Sequence, residues 1–255
     1  MKKIMIFSGT TEGRALVKFL QAYSVQLYVS VATEYGKTCM GEAKNMKILT
    51  GRKNREEIYH FLQEHHVDLV IDATHPFAKV VTENIKEATK QAEVDYIRCL
   101  RDTGPTMDLA DEFLICVESV QQAVEYLCRT EGNILISTGS KELEAYCRIP
   151  DYKTRCYARV LSTIQAVGES VHAGFEGRHL LAMQGPFSVE MNVAALHHVD
   201  AAYFVTKESG AAGGFTEKWE AAKSAGVKLV VITRPEEDGK SFAEVRELLT
   251  RFLES

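Results

Sequence analysis

Residues 4–16 read IMIFSGTTEGRAL. A continuous apolar run, Ile4 to Phe7, passes into a small polar turn at Ser8, Gly9 and Thr10 and then into Thr11, Glu12, Gly13 and Arg14. Four apolar residues in a row suit a buried strand. The Thr-Thr-Glu segment suits the first turn of a helix, where hydroxyls cap and acids oppose the helix dipole. A strand, turn and helix in that order place unsatisfied backbone N–H groups at the helix start, where an anion such as pyrophosphate gains several hydrogen bonds. The spacing is Gly9-x-x-x-Gly13, not the three close glycines of the usual dinucleotide fingerprint. Two readings therefore stand side by side, a phosphate cradle and an ordinary α/β corner.

Working outward, the apolar runs predict strands at 3–8, 26–32, 46–50, 67–72 and 95–100. Helical periodicity predicts helices at 12–22, 35–41, 54–65 and 77–92. Runs such as VDLVIDA are apolar nearly throughout, as expected of strands covered on both faces. The segment 101–111, RDTGPTMDLAD, breaks the alternation with Gly104-Pro105 and several charges, and reads as a linker. Beyond it strands are expected at 113–117, 133–137, 155–160, 179–183, 201–205 and 228–232. Helices are expected at 119–129, 140–147, 162–172, 188–197, 214–225 and 241–254. The expectation is an α/β chain of two domains with mainly parallel sheets: 1–100 binding nucleotide, 112–255 binding substrate, and a cleft between them.

The halves echo one another. VIDATHPFAKVVTEN (70–84) and LLAMQGPFSVEMN (180–192) each run from a strand through Pro-Phe to a helix bearing Asn, and SGTTE (8–12) is matched by TGSKE (138–142). Internal duplication and convergent turn chemistry both account for this.

Composition sets the bounds. The 255 residues are 45% apolar and 25% charged, with a net charge of −5, which speaks for a globular protein and against a general nucleic-acid or anionic-membrane binder. The short apolar run at the N-terminus is too brief for a signal peptide, and no stretch is long enough to span a bilayer, so cytoplasm is the expected location. Six cysteines without a C-x-x-C pair read as reduced, buried thiols. The pairs His65-His66 and His197-His198 lack an i, i+4 partner, so no protein-held metal is expected.

Polar clusters fall at the predicted strand ends. Thr74-His75-Pro76-Phe77 places His75 at a strand mouth, as a hydrogen-bonded cap or as a working group. Ser137-Thr138-Gly139-Ser140-Lys141 is either an anion site or a helix capped by Ser140. Arg159, in Tyr157-Ala158-Arg159, is expected on a sheet edge, in the cleft, or solvated. Lys207-Glu208-Ser209-Gly210, followed by Gly213-Gly214, suits a loop that approaches a ligand. The stripe of Phe242, Val245, Leu248, Leu249 and Phe252 suits core packing.

Taken in order, SGTTEGR (8–14), DATHPFA (72–78), TGSKEL (138–143), YARVL (157–161), QGPFSVEMN (184–192), TKESGAAGG (206–214) and VVITRP (230–235) run nearly the length of the chain. With these segments the chain resembles the precorrin-6A reductase family of cobalamin biosynthesis, which includes the cobalt-precorrin-6A reductases. The resemblance implies two Rossmann-like domains and reduction of one macrocyclic double bond by NADPH or NADH, with hydride delivered to a ring carbon and a proton to its neighbour. By position it puts the loop of Gly9, Thr10, Thr11, Glu12, Gly13 and Arg14 on the cofactor, with Thr74 and His75 at the same rim, and the end of the second strand adds Ser30, Thr33 and Arg52 to the expected cofactor set. A polycarboxylate corrinoid would meet Ser140, Lys141, Arg159, Lys207, Glu208 and Ser209, because an acidic protein must gather its cations locally to hold such a substrate. Lys207 and His75 are the candidate proton donors.

Two features depart from common patterns. The second strand ends Ser30-Val31-Ala32-Thr33 without the acid that usually binds a ribose 2′-hydroxyl, and Glu34 follows late. This leaves room for a 2′-phosphate beside Arg52 or Lys53. The free cysteines lean toward an anaerobic setting and a cobalt-containing substrate. An S-adenosylmethionine-dependent tetrapyrrole methyltransferase and a non-catalytic nucleotide-sensing module are the competing readings.

Overall fold

A computed structural model describes residues 1–38, 40–41, 43–100, 111–210 and 213–254. The predicted linker at 101–111 falls, apart from Asp111, outside these residues. Internal packing divides the chain into two units, Met1–Asp102 together with Pro235–Ser255, and Thr103–Arg234.

The first unit is a five-stranded parallel sheet of β1 (Lys3–Ser8), β2 (Gln26–Val31), β3 (Met46–Thr50), β4 (Leu69–Ala73) and β5 (Asp95–Arg98), in the order β3-β2-β1-β4-β5. The crossovers are α1 (Thr11–Leu20), α2 (Glu34–Thr38), α3 (Arg55–His65) and α4 (Lys79–Ala92). Strand alternation explains the two layers. Ile4 and Ile6 pack with Leu16, Leu20, Leu27 and Val29 on one face, while Met5 and Phe7 pack with Ile58, Leu62, Val70 and Ile85 on the other.

The C-terminal helix, Phe242–Glu254, belongs to this first unit: Val245 and Leu249 are buried in the Ile4–Ile6 layer. The expected boundary, which placed everything from 112 to 255 in one domain, is corrected accordingly. The amphipathic stripe fixes which face is buried but carries no information about which sheet covers it. The chain re-enters through a parallel bridge of Cys99 with Lys240, and β5 therefore ends at Arg98, short of the expected residue 100.

The second unit contains β6 (Leu114–Val117), α5 (Val120–Leu127), β7 (Asn133–Ile136), α6 (Leu143–Tyr146), α7 (Tyr152–Arg155), β8 (Cys156–Val160) and α8 (Ile164–His172). It continues with β9 (Leu180–Ala182), α9 (Val189–His198), β10 (Ala201–Lys207), α10 (Phe215–Ser224) and β11 (Lys228–Ile232). All neighbours are parallel, in the order β6-β11-β10-β7-β8-β9. The helix expected at 140–147 is a 3₁₀ turn, Ser140–Glu142, followed by α6. The short α7 and the 3₁₀ turn Gly177–His179 lie in segments without a helical period and were not expected.

In each sheet the strand order reverses once, between β1 and β4 and between β10 and β7. The two chains leaving such a pair diverge to opposite sides, so a crevice opens at their carboxyl ends. Among the described residues no helix is long and apolar enough to cross a membrane.

Candidate functional site

At the β1/β4 reversal, Thr10 is the N-cap of α1. Its Oγ1 accepts from the Gly13 amide at 3.1 Å and donates to the Ala73 carbonyl at 3.0 Å, which ties the helix start to the end of β4. Gly13 is required by this packing. A Cβ there would lie 2.6 Å from Ser8 Oγ and 3.2 Å from Ala73 Cβ, whereas one on Gly9 would meet Thr74 and His75 backbone atoms only at 3.7 Å. The first-turn amides of α1 lie at the carboxyl ends of β1 and β4, with Thr11 and Arg14 exposed beside them and Arg14 donating to Thr11 Oγ1 at 3.3 Å. Glu12 is half-buried and near enough to Cys99 to add to burial in pushing that thiol up to about 12.

Farther along the same edge, Ser30 is buried within β2, and Thr33 Oγ1 accepts from the Gly36 amide at 3.1 Å. Arg52 is exposed just past β3, where the Gly51 amide donates to the Val31 carbonyl at 2.9 Å and holds this segment against the end of β2.

Beneath the 74–77 corner lies a buried ionic network that the residue pattern did not single out. Arg98 Nη1 lies 2.8 Å from Asp72 Oδ1, and Arg98 Nη2 lies 2.9 Å from Glu237 Oε2. The Thr74 hydroxyl donates to Asp72 Oδ1 at 2.7 Å and receives Arg98 Nη1 at 3.0 Å. Thr74 is therefore held below the rim by the network, while His75 stands above it, half-exposed, with Nδ1 accepting from the Phe77 amide at 3.4 Å. Tyr96 donates to Asp72 Oδ2 at 3.2 Å, and burial followed by the Asp72 charge raises its pKa.

At the β10/β7 reversal in the second unit, Lys207 ends β10 and lies 2.7 Å from Glu142 Oε2 in the turn after β7. Glu208 faces away from this pair. Its Oε2 accepts from the Arg234 amide at 2.9 Å and its Oε1 lies 3.4 Å from Arg234 Nε. Ser209 Oγ donates to the Gly213 carbonyl at 3.1 Å and closes its own loop. The N-cap of the 3₁₀ turn is Gly139, not Ser140, because Ser140 Oγ instead donates to Glu169 Oε2 at 2.6 Å. Lys141 is exposed.

Arg159 is neither solvated nor at a sheet edge. It lies on the interior strand β8, is 5% exposed, and faces a pocket of about 340 Å³ at the carboxyl ends of β7, β8 and β9. Its Nη1 donates to Asn192 Oδ1 at 2.9 Å, and its guanidinium sits 4.5 Å from the Phe187 ring centroid. Asn192, Phe187 and Lys218 complete this pocket and were absent from the predicted set. The signal available in sequence was a single charge inside an otherwise apolar strand, CYARV.

The description Precorrin-6x reductase CbiJ/CobK matches residues 3–252. The chain belongs to this family. It is an oxidoreductase of cobalamin biosynthesis that acts on a CH–CH group of the precorrin-6A macrocycle and draws on a nicotinamide cofactor. The cobalt-precorrin-6A reductase of Salmonella typhimurium is 34% identical over 91% of this chain and 87% of its own length. That of Priestia megaterium is 28% identical over 96% of each. A solved structure titled CobK precorrin-6A reductase has the same fold, with a TM-score of 0.76, 22% identity, and coverage of 98% of the reductase and 97% of that chain. The residues at the β1/β4 crevice fit a dinucleotide: a helix start with first-turn amides at the strand ends, a glycine at position 9 that a Cβ would not force apart from its neighbours, and an exposed arginine.

Proposed function

We propose that the reductase uses NADPH to reduce cobalt-precorrin-6A. The observation that carries the cofactor choice is Arg52, exposed at the end of β3 beside a β2 terminus that offers no carboxylate between Ser30 and Thr33. A carboxylate there would pair with a ribose diol, whereas a guanidinium pairs with a 2′-phosphate. The names of the Salmonella and Priestia relatives support the cobalt-containing substrate.

In this reading the amides after Gly9 and the Arg14 side chain bind pyrophosphate, Thr10 and Gly13 hold the helix start in place, and Glu12 faces ribose hydroxyls. Thr11, Ser30 and Thr33 line the same edge. Thr74 positions the corner that carries His75. When bound, the reduced nicotinamide supplies the hydride. The chain's own residues orient the reactants, exclude water and hold a proton. Lys207, kept in place by Glu142, is assigned as proton donor ahead of His75, whose Nδ1 already accepts a backbone hydrogen bond. Lys141 and Arg159 meet substrate carboxylates, and Ser140, Glu208 and Ser209 shape the loops around them.

The test is equilibrium binding of NADPH and NADH to the protein and to Arg52→Ala. NADPH should bind the wild type more tightly, and the substitution should remove about 1–2 kcal/mol of that preference while leaving NADH binding unchanged. Equal loss for both cofactors, or none, would remove Arg52 from the 2′-phosphate site.

A further inference from the structure

Each sheet buries a charged side chain within an apolar central strand, and the two are treated differently. Asp72 on β4 has Arg98 against it, and Arg98 in turn has Glu237. Among the described residues no carboxylate pairs with Arg159 on β8. Its hydrogen-bonding side-chain partner among the described residues is the neutral amide oxygen of Asn192, and the rings of Phe187 and Phe204 lie 4.5 Å and 5.2 Å from its guanidinium. Its Nη2 is buried and makes no hydrogen bond among the described residues. Burial alone pulls its pKa down, to about 10, so the side chain is still a cation at neutral pH. A desolvated cation lacking a counter-charge is costly to keep in a folded protein, unless a ligand brings the anion.

The surroundings define that anion. Asn192 is fixed from the other side, its Nδ2 donating to the Ser188 carbonyl at 2.9 Å, so Nη1 is held in place while the buried Nη2 has N–H groups left to donate. Pro186, Phe187, Leu161 and Met183 give the pocket an apolar wall. A buried guanidinium beside this apolar wall, with Lys218 also on the lining, matches a carboxylate on a short methylene stem. The pocket volume of about 340 Å³ accommodates such an arm with the edge of the ring that bears it, not a whole macrocycle.

We infer that Arg159 anchors a single acetate or propionate arm of the substrate, with Asn192 and Phe187 as the residues that aim its guanidinium. The inference rests on the reading of this chain as a corrinoid reductase, and it assigns the pocket to the macrocycle rather than to the nucleotide.

The first experiment needs no variant. Sodium propionate and, separately, inorganic phosphate are titrated into the full-length ¹⁵N-labelled protein while the arginine side-chain N–H resonances are followed. Saturable movement of the Arg159 signals by propionate, with none by phosphate, supports the anchor; phosphate acting as well as propionate, or neither acting, overturns it.

In turnover, propionate should compete with the tetrapyrrole and not with the nicotinamide cofactor; competition with the cofactor overturns the assignment. Arg159→Gln should raise KM for the tetrapyrrole by about 30-fold or more, with KM for the cofactor changed by less than about twofold. Added guanidinium ion should recover part of the loss. Turnover by wild type with an unchanged KM in a folded Arg159→Gln overturns the anchor alone. Wild type that binds propionate at Arg159 yet reduces neither tetrapyrrole overturns the reductase reading.

Discussion

Arg98 Nη1 lies 2.8 Å from Asp72 Oδ1, with side-chain exposures of 3% and 0%, and the other end of the same guanidinium grips both oxygens of Glu237. Asp72 is the next-to-last residue of β4, under the His75 corner, whereas Glu237 lies on the chain returning to the first unit. One arginine therefore joins a rim of the crevice to a segment more than a hundred residues away. Arg98→Met should destabilise the protein by roughly 3–5 kcal/mol in chemical denaturation, because it strands the Asp72 carboxylate in the interior. Combining Arg98→Met with Asp72→Leu should recover much of that loss. A single variant as stable as wild type would refute the role given to this pair.

The two glycines of the opening loop should separate fold from binding. Gly13→Val drives a side chain into Ser8 Oγ and Ala73 Cβ, and is expected to cost about 1–3 kcal/mol of stability as well as cofactor affinity. Gly9→Val has ordinary contacts in the folded state and should leave the melting temperature unchanged while weakening cofactor binding. Full cofactor affinity in Gly9→Val would move the phosphate away from this turn.

The sequence and the structure agree most closely where order is local. Strands and long helices were legible because burial on two faces leaves continuous apolar runs, and because amphipathic helices carry a period. What was not legible is non-local. The partner of the Phe242–Glu254 stripe is a sheet at the other end of the chain, and the acid facing Arg98 is 26 residues from it. The internal echoes do not mark equivalent places. The Pro-Phe corner follows β4 beside the first reversal, but in the second half it follows the edge strand β9. Thr10 caps its helix, whereas Ser140 reaches across to Glu169. Arg159 was visible as a residue at a strand end, but its burial was not, because one charge in CYARV reads equally as an edge position.

The buried thiols give a pH dependence. Burial pushes Cys99 and Cys156 from an ordinary value near 9 up to about 12. Between those values the folded state retains protons that the unfolded chain has released. Stability is therefore complete below pH 9 and falls as pH rises toward 12, by up to about 1.4 kcal/mol per pH unit for each thiol. Alkylation at pH 8 should reach exposed Cys116 first and Cys99 and Cys156 only on unfolding. Prompt labelling of Cys99 in folded protein would contradict the packing.

Two side chains near the second reversal should behave differently. Lys207→Ala should lower kcat at least tenfold, on the order of 1.4 kcal/mol, without weakening cofactor binding. Ser140→Ala, which removes only the hydrogen bond to Glu169, should cost about 1 kcal/mol of stability and leave kcat intact. Normal turnover in Lys207→Ala would take that residue out of the reaction.

The most direct test is anaerobic single-turnover absorbance of the purified protein, with cobalt-precorrin-6A and precorrin-6A each offered NADPH or NADH. Oxidation of NADPH in step with a spectral change of the cobalt-containing tetrapyrrole is the predicted result. Cofactor that binds but is not oxidised in the presence of either tetrapyrrole would contradict it.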